Sequence, residues 1–182
     1  MTDDTDRVLD GYWVVLAQGG SRAAFDRLAQ RWTPRLLRYA ARMTGRADIA
    51  RDIVQESWIG AIRGLKGLTD PAQFPAWIYS IARRRCIDAI RVNQRQRRLL
   101  VSAQADSDTA ATLGSGGDAA NEGVDLAAAI LRLNEEQREV VQLLYGEDLG
   151  VEEISRVLAV PVGTVKSRLF HARQSLKKHL GE

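Results

Sequence analysis

Cysteine, long apolar runs and targeting segments are scarce in this sequence. Cys86 is the only cysteine, so no intramolecular disulfide can form and a reducing compartment is expected. Its place on an apolar helical stripe predicts a buried side chain rather than a redox sensor. No apolar run approaches the roughly 20 residues of a membrane-spanning helix, and the acidic chain start is unlike a signal peptide. These features predict a cytoplasmic protein without membrane insertion.

The motifs of the common enzyme classes are also missing. We find no phosphate-binding glycine loop, no nucleophile motif and no cluster of metal ligands. His171 and His179 are eight residues apart, which is a poor spacing for a metal site. We therefore expect no catalytic residue, no metal and no cofactor, and predict that the protein is not an enzyme.

The charge is unevenly distributed along the chain. The net charge is only +3, but residues 21–100 contain 17 Lys and Arg against 6 Asp and Glu. Residues 101–123 contain four acids and no base. A basic first half predicts a polyanionic partner, with nucleic acid the leading candidate. We interpret the acidic N-terminus (Asp3, Asp4, Asp6 and Asp10) as a solvated tail.

Helical periodicity dominates the sequence, and no segment alternates at period two. Three long helices are predicted at about 21–43, 47–65 and 74–97, with Ser21 as an N-cap. Shorter helices are predicted after Asn134, at about 151–158 and at about 163–179. Residues 101–123 lack periodicity and aromatic residues, which predicts a flexible acidic linker. The expected fold is all-α, with two small helical domains at 1–100 and 124–182 on either side of that linker.

The last two predicted helices form a helix-turn-helix. Ile154, Val157 and Leu158 on the first helix would share a small core with Val165 and Leu169 on the second. A motif of this kind lays its second helix in the major groove of DNA. No acid occurs between Leu158 and Gly181, which favours DNA binding over an ordinary solvated face. The outward-facing residues of the second helix are Thr164, Lys166, Ser167, Arg168, His171 and Arg173.

The third predicted helix is strongly cationic, with seven arginines among residues 83–98. Such a cluster repels itself unless a polyanion is present. Arginines interleaved with Phe74 and Trp77 are typical of proteins that bind unstacked single-stranded DNA. Both rings also lie on the apolar stripe of the helix, where packing in the core is the simpler interpretation.

The second predicted helix has an acidic ridge, defined here as Asp48, Asp52 and Glu56 with the adjacent Ile49, Ile53 and Gln55. The three acids are spaced four apart and therefore share one helix face. The ridge is either a solvated face paired with Arg51 or a surface that docks on a basic partner. Spacing alone does not choose between these interpretations.

Two blocks of sequence resemble a known family. Residues 50–56 (ARDIVQE), 74–83 (FPAWIYSIAR) and Asp88 are similar to region 2 of extracytoplasmic-function sigma factors of bacterial RNA polymerase. Residues 160–168 (VPVGTVKSR), with Glu153 and Ile154 before them and Ala172 and Arg173 after them, are similar to region 4 of the same family. Both blocks occur in the expected order, with region 3 missing between them as in that family.

The resemblance implies three binding surfaces and several partners. The partners are core RNA polymerase, duplex −35 DNA, single-stranded −10 DNA and an anti-sigma factor, and initiation follows from −10 melting. The implied core-polymerase site is Ile49, Asp52, Ile53, Gln55 and Glu56. The implied −10 site is Lys66, Leu68, Thr69, Phe74, Trp77, Arg83, Arg84 and Arg91. The implied −35 site is Thr164, Lys166, Ser167, Arg168, His171 and Arg173.

Some positions depart from the family pattern. Arg84 stands where asparagine is frequent, which leaves the −10 preference open, and His171 replaces a frequent arginine. The alternative function is that of a conventional helix-turn-helix transcriptional regulator, which usually dimerises on palindromic duplex sites. A further alternative is a pure protein-interaction module that shares the region 2 surface but does not start transcription.

Overall fold

The computed structural model describes residues 3–103 and 122–180. Within these ranges the chain forms eight α-helices and no strand, which confirms the all-α prediction. The helices are α1 (Asp3–Gln18), α2 (Arg22–Thr44), α3 (Ala47–Gly64), α4 (Phe74–Ala103), α5 (Glu122–Leu131), α6 (Glu135–Val141), α7 (Val151–Leu158) and α8 (Val162–Leu180). The predicted linker overlaps the end of α4 and the start of α5, and its residues 104–121 lie outside the described residues.

Local capping sets the limits of the long helices. The Ser21 hydroxyl accepts a hydrogen bond of 3.3 Å from the Ala24 amide at the start of α2. Gly45 ends this helix in the left-handed conformation (φ 66°), which glycine adopts without a steric cost. The Asp70 carboxylate accepts a hydrogen bond from the Ala72 amide at 3.0 Å, in the turn before α4. The periodicity therefore predicted α2 and α3 well, while α4 runs six residues beyond the predicted Arg97.

The acidic N-terminus is a helix rather than the predicted solvated tail. Asp6 and Asp10 in α1 form ion pairs with Arg31 of α2, at 2.7 and 3.1 Å. Val14 is fully buried against the core. The tail interpretation was wrong because it relied on the acids and ignored the apolar residues that follow them in the helix.

Aromatic rings fill the centre of the N-terminal domain, defined here as α1–α4. Trp32 of α2 meets Phe74 and Tyr79 of α4 edge to face, with centroid separations of 5.6 and 5.8 Å. Tyr39 meets Tyr79 at 5.2 Å. Cys86 of α4 is also fully buried, and burial raises the pKa of its thiol to about 12. The predicted buried role of the cysteine is confirmed.

The C-terminal domain, defined here as α5–α8, contains the predicted helix-turn-helix. Ile154, Val157 and Val165 are buried, and Leu169 is 4% exposed. Ala159 has a φ of 55° in the turn between α7 and α8, so the chain reverses there in the left-handed region. Asn134 caps α6, the helix predicted to follow it, by accepting a hydrogen bond of 2.8 Å from the Gln137 amide.

The two domains lie against each other and share one hydrophobic core cluster. Helix α7 contacts α4, and carboxylates of the C-terminal domain reach arginines of the N-terminal domain. The sequence patterns did not predict this contact. It determines which predicted binding surfaces are open and which are covered.

Candidate nucleic-acid interface

The acidic ridge on α3 is accessible to solvent. Asp52, Gln55 and Glu56 are exposed, while Ile53 is 5% exposed and anchors the ridge in the core. Arg46 pairs with Asp48, and the hydrogen bond that Arg46 donates holds the pKa of that carboxyl below its usual value. The ridge thus consists of exposed acids beside the partly buried Ile49 and the buried Ile53.

A groove of about 380 Å³ runs beside this ridge between α3 and α4. Asp52 and Glu56 line one wall, and Arg85 and Asp88 line the other. Arg85 lies 3.6 Å from Glu56, with both side chains well exposed, so this ion pair contributes little to stability. The side chains at the groove therefore remain free to exchange partners with an incoming protein.

The loop before α4 is held in place by α1. The Gln18 side-chain amide donates hydrogen bonds to the carbonyls of Leu65 and Leu68, at 2.9 and 2.7 Å. Lys66 and Thr69 extend into solvent from this fixed loop. An N-terminal helix that the sequence analysis missed therefore positions part of the predicted −10 site.

The predicted −10 residues on α4 divide into three groups. Phe74 is fully buried against Trp32, so its ring supports the surface and cannot touch a DNA base from this position. Trp77 is partly exposed and packs 5.9 Å from Phe74. Arg84 and Arg91 are exposed. The accessible residues Lys66, Leu68, Thr69, Trp77, Arg83, Arg84 and Arg91 are called the loop–α4 surface below.

Arg83 already has a partner in the other domain. Its guanidinium donates two hydrogen bonds to the Glu139 carboxylate, at 2.7 and 3.1 Å. This fork-to-carboxylate geometry is the one by which arginine also binds a phosphate group. Glu139 is 8% exposed, so the pair lies within the contact between the domains.

Two further glutamates of the C-terminal domain are buried at the same contact. Glu147 accepts a hydrogen bond from the Tyr79 hydroxyl and lies 3.5 Å from Arg42. Burial raises the pKa of Glu147, although Tyr79 and nearby arginines oppose this shift. Glu153 accepts hydrogen bonds from Arg7 at 2.8 and 3.1 Å. Glu139, Glu147 and Glu153 are called the three buried glutamates below.

The outer face of α8 contains the predicted −35 residues. Lys166, Ser167, His171 and Arg173 are exposed, while Thr164 and Arg168 are partly buried. Arg168 pairs with Glu136 at 2.7 Å, and Arg173 donates a hydrogen bond of 3.1 Å to the Tyr145 hydroxyl. Both contacts lie within the C-terminal domain.

Two residues that the sequence analysis passed over also belong to these surfaces. Phe170 is 57% exposed on α8 and stands edge to face against His171, at 5.5 Å. A lone aromatic residue among the polar positions of this helix was the signal available. Arg156 of α7 lines a cleft of about 220 Å³ together with Leu68 and Trp77. No sequence pattern could have placed Arg156 there, because the cleft is formed between the domains.

The described residues contain no group of three or more His, Cys, Asp or Glu that could bind a metal ion. A helix long and apolar enough to cross a membrane is likewise not found in the part of the chain that the structure describes.

Comparisons with known proteins agree with the two blocks of sequence. Residues 28–96 match the family model for Sigma-70 region 2, and residues 124–176 match that for Sigma-70 region 4. The RNA polymerase sigma-H factor of Pseudomonas aeruginosa is 28% identical over 198 residues, which cover 99% of this chain and 96% of the relative. The ECF RNA polymerase sigma factor SigL of Mycobacterium tuberculosis is 33% identical over 148 residues, covering 81% and 83%.

Solved structures share the fold over nearly the whole chain. CnrH, in complex with the cytosolic domain of CnrY, superimposes with a TM-score of 0.67 at 25% identity, covering 95% of this chain and 97% of CnrH. RpoE of Bartonella quintana, solved with the anti-sigma factor NepR, has a TM-score of 0.66 at 21% identity, with 86% and 96% covered.

The region 2 match does not favour a conventional helix-turn-helix regulator, because only the C-terminal domain would be common to both. The region 2 match also agrees with a protein that recognises DNA as a subunit of RNA polymerase and performs no chemistry of its own. From the two family matches and the relative at 33% identity, we conclude that the chain belongs to the extracytoplasmic-function sigma factors of RNA polymerase, which direct the polymerase to promoters.

Proposed function

We propose that the acidic ridge on α3 is the surface by which this sigma factor docks on core RNA polymerase. The carrying observation is an exposed row of acids beside an open groove, on a domain that is otherwise basic. A basic or mixed helical surface of the polymerase would pair with Asp52 and Glu56 and cover the apolar base at Ile49 and Ile53. Gln55 adds a side-chain amide that can donate and accept hydrogen bonds at the same face.

Co-elution with bacterial core RNA polymerase tests this proposal. The variant with Asp52→Arg and Glu56→Arg should lose binding, because two cations would then face the basic surface of the partner and repel it. A matched control has the same reversals at Asp26 and Glu135, which are exposed and outside the ridge. The control should co-elute like the unmodified chain. Equal binding by both variants would remove the ridge from the docking surface.

We further propose that the loop–α4 surface holds the melted −10 strand. Lys66, Arg84 and Arg91 offer exposed cations for the phosphates, and Trp77 offers part of a ring on which a base can stack. Extracting a base from duplex DNA costs a few kcal/mol, and the cleft beside Leu68 and Trp77 is the place where contacts can offset that cost.

The −35 duplex is the proposed ligand of α8. Lys166, Ser167, His171 and Arg173 extend from its outer face, where a helix-turn-helix meets the major groove. Phe170 adds an apolar contact suited to a thymine methyl group. The proposed division of labour is therefore one domain for polymerase and single-stranded DNA, residues 1–100, and one for duplex DNA, residues 124–182, with residues 101–123 between them.

An inhibitory protein partner and a cytoplasmic location complete the proposal. The solved structure of CnrH contains the cytosolic domain of a second protein, CnrY, bound to a chain of this fold. We propose that an anti-sigma factor binds this chain in a similar way. Since the proposed ligands, RNA polymerase and promoter DNA, are cytoplasmic in bacteria, we propose the cytoplasm as the site of action.

A further inference from the structure

Helix α1 has an apolar outer face. Its inner face packs on the N-terminal domain through Val14, which is fully buried, and Asp10, which is 3% exposed. Five large apolar residues lie on the opposite face, with exposed fractions between 38 and 69%. Among the residues whose exposure the structure describes, no other helix has more than two such side chains. The five residues are called the α1 stripe below: Val8, Leu9, Tyr12, Val15 and Leu16.

The spacing of the α1 stripe is that of a surface that pairs with another helix. Thr5, Val8, Tyr12 and Val15 are three, four and three positions apart, which is the a/d repeat of a coiled coil. The fully exposed positions from Thr5 to Leu16 include no charged residue. Contiguous apolar surface of this kind is uncommon on a soluble protein and marks a site of protein association. We therefore looked for the helix that fits the stripe.

The two ends of the stripe differ in charge. In sequence α1 starts with Asp3 and Asp4, whereas Gly19 and Gly20 connect its other end to α2, which starts at Arg22. Arg22 is exposed and has no ion pair within the described residues. The N-terminus of α2 adds the partial positive charge of a helix start. A second α1 in the antiparallel direction would therefore bring its acidic end to the basic end of the first.

We propose that a second copy of this chain covers the α1 stripe, through an antiparallel pair of α1 helices around a twofold axis near Tyr12. Val8 then lies opposite Leu16 of the partner subunit, and the unlike ends meet on both sides of the axis. A standard interface has about 20–30 residues a side, and the stripe has five. The dimer is therefore weak, with a dissociation constant in the micromolar range. The stripe shares no residue with the three proposed binding surfaces, so this inference does not depend on them.

Sedimentation of the complete chain between about 1 and 200 µM tests the self-association, because a weak dimer forms by mass action. The average mass should rise with concentration towards twice that of the monomer. Val8→Glu with Val15→Glu should weaken the dimer by about tenfold or more, since the pair would bury four carboxylates without partners. Val92→Glu with Leu131→Glu, at positions that are 58 and 69% exposed on other helices, is the matched control and should associate like the unmodified chain. An unmodified chain that stays monomeric throughout, or equal association of the two variants, would overturn the inference.

Disulfide cross-linking tests the antiparallel arrangement, and its variants leave most of the stripe intact. All are made in a Cys86→Ala background, which removes the only natural thiol. The Cα atoms of bridged cysteines lie about 4.4–6.8 Å apart, and eight residues of helix span about 12 Å. Val8→Cys chains should therefore cross-link with Leu16→Cys chains but not with one another, while Tyr12→Cys chains should cross-link with themselves. Cross-links between two Val8→Cys chains would show a parallel pair and contradict the twofold arrangement.

A charge reversal tests the contact between the unlike ends. Arg22→Glu should weaken the dimer about threefold, which is the size expected for exposed charge pairs. Adding Asp4→Arg restores opposite charges across the axis and should restore the association. Arg38→Glu, at an exposed position 16 residues further along α2, is the control and should have no effect. Equal weakening by the two single reversals, or no recovery in the double variant, would overturn the antiparallel pairing of the ends.

Discussion

The acidic ridge on α3 and the loop–α4 surface belong to neighbouring helices, yet the C-terminal domain covers only one of them. Among the described residues, the groove beside the ridge is lined entirely by the N-terminal domain, whereas the cleft at Leu68 and Trp77 includes Arg156 of α7. The structure thus leaves the proposed polymerase surface open and covers part of the proposed strand surface.

Under the proposed roles of the two surfaces, this difference implies an order of events. The ridge on α3 is open to a protein partner while α6 and α7 lie against α4. A strand phosphate that binds Arg83 must first displace Glu139, whose carboxylate accepts hydrogen bonds from the same guanidinium. The proposed docking on polymerase therefore requires no rearrangement of the two domains, whereas the proposed strand binding does.

The largest expected effect comes from breaking the support beneath the covered surface. Trp32→Ala removes the ring that meets Phe74 and Tyr79 and should lower the free energy of unfolding by about 3–5 kcal/mol. Ile62→Ala, at a position on α3 that is 61% exposed, should change it by only about 0.5 kcal/mol. Urea denaturation of both variants measures the difference. Equal losses would show that the aromatic cluster does not hold α4 in place.

A smaller loss should follow when one donor is removed from the contact between the domains. Tyr79→Phe leaves the buried Glu147 carboxylate without the hydroxyl that donates to it, at a cost of about 1–3 kcal/mol. Urea denaturation should report this change, and so should energy transfer between donor and acceptor dyes at Asp26→Cys in α2 and Gln174→Cys in α8, in a Cys86→Ala background. Tyr12→Phe, on an exposed side chain of α1, is the control and should leave both unchanged. A Tyr79 variant with the stability and the energy transfer of the control would show that this hydrogen bond does not hold the two domains together.

Most of the helices could be predicted from the sequence, but the contact between the two domains could not. Helices α2, α3 and α7 were predictable because apolar spacing, Ser21 and Gly45 act within a few residues. Glu139 and Arg83 are 56 positions apart, and in sequence each resembles an ordinary surface charge. Pairs of this kind depend on tertiary packing, which no periodicity encodes.

The same distinction explains the partial success at the binding surfaces. The resemblance selected α3, α4 and α8, and the exposed side chains on them agree with that selection. Phe74 was included as a DNA contact, but its ring is fully buried. Spacing identifies the apolar stripe of a helix, but how deeply each residue on it is buried depends on the neighbouring helices. Helix α1 was missed although its apolar residues recur at helical spacing after the acids.

The closed arrangement, in which α6 and α7 lie against α4, should also depend on pH through Glu147. Burial raises the pKa of this carboxyl above its ordinary value of 4.5, with Tyr79, Arg42, Arg38 and Arg35 opposing the shift. The closed form therefore binds the proton more tightly than an open form with a solvated carboxyl, and its stability falls as the pH rises through the raised pKa. Acidification from neutral pH towards that pKa should increase closure.

Energy transfer between the dyes as a function of pH measures this effect. Its size should be below that of Tyr79→Phe, because the opposing arginines offset part of the burial. Glu147→Gln keeps an acceptor for the Tyr79 hydroxyl but cannot titrate, so it should flatten the dependence in this window. A Gln variant with the same pH profile as the unmodified chain would assign the dependence to another group.

The smallest expected effect concerns the turn of the helix-turn-helix, which belongs neither to the acidic ridge nor to the loop–α4 surface. Ala159 has a φ of 55°, a conformation that is unfavourable for any residue with a β-carbon and free of that cost for glycine. Ala159→Gly should raise the free energy of unfolding by about 0.5–1 kcal/mol, since the relief of strain exceeds the added flexibility of the unfolded chain. Thermal unfolding of the complete chain measures it. Because Ala159 is exposed and is not among the residues that line the cleft with Arg156, the energy transfer should stay the same. A change in transfer would mean that the turn helps to hold the C-terminal domain on α4, so that the covered surface depends on the geometry of the helix-turn-helix as well as on the three buried glutamates.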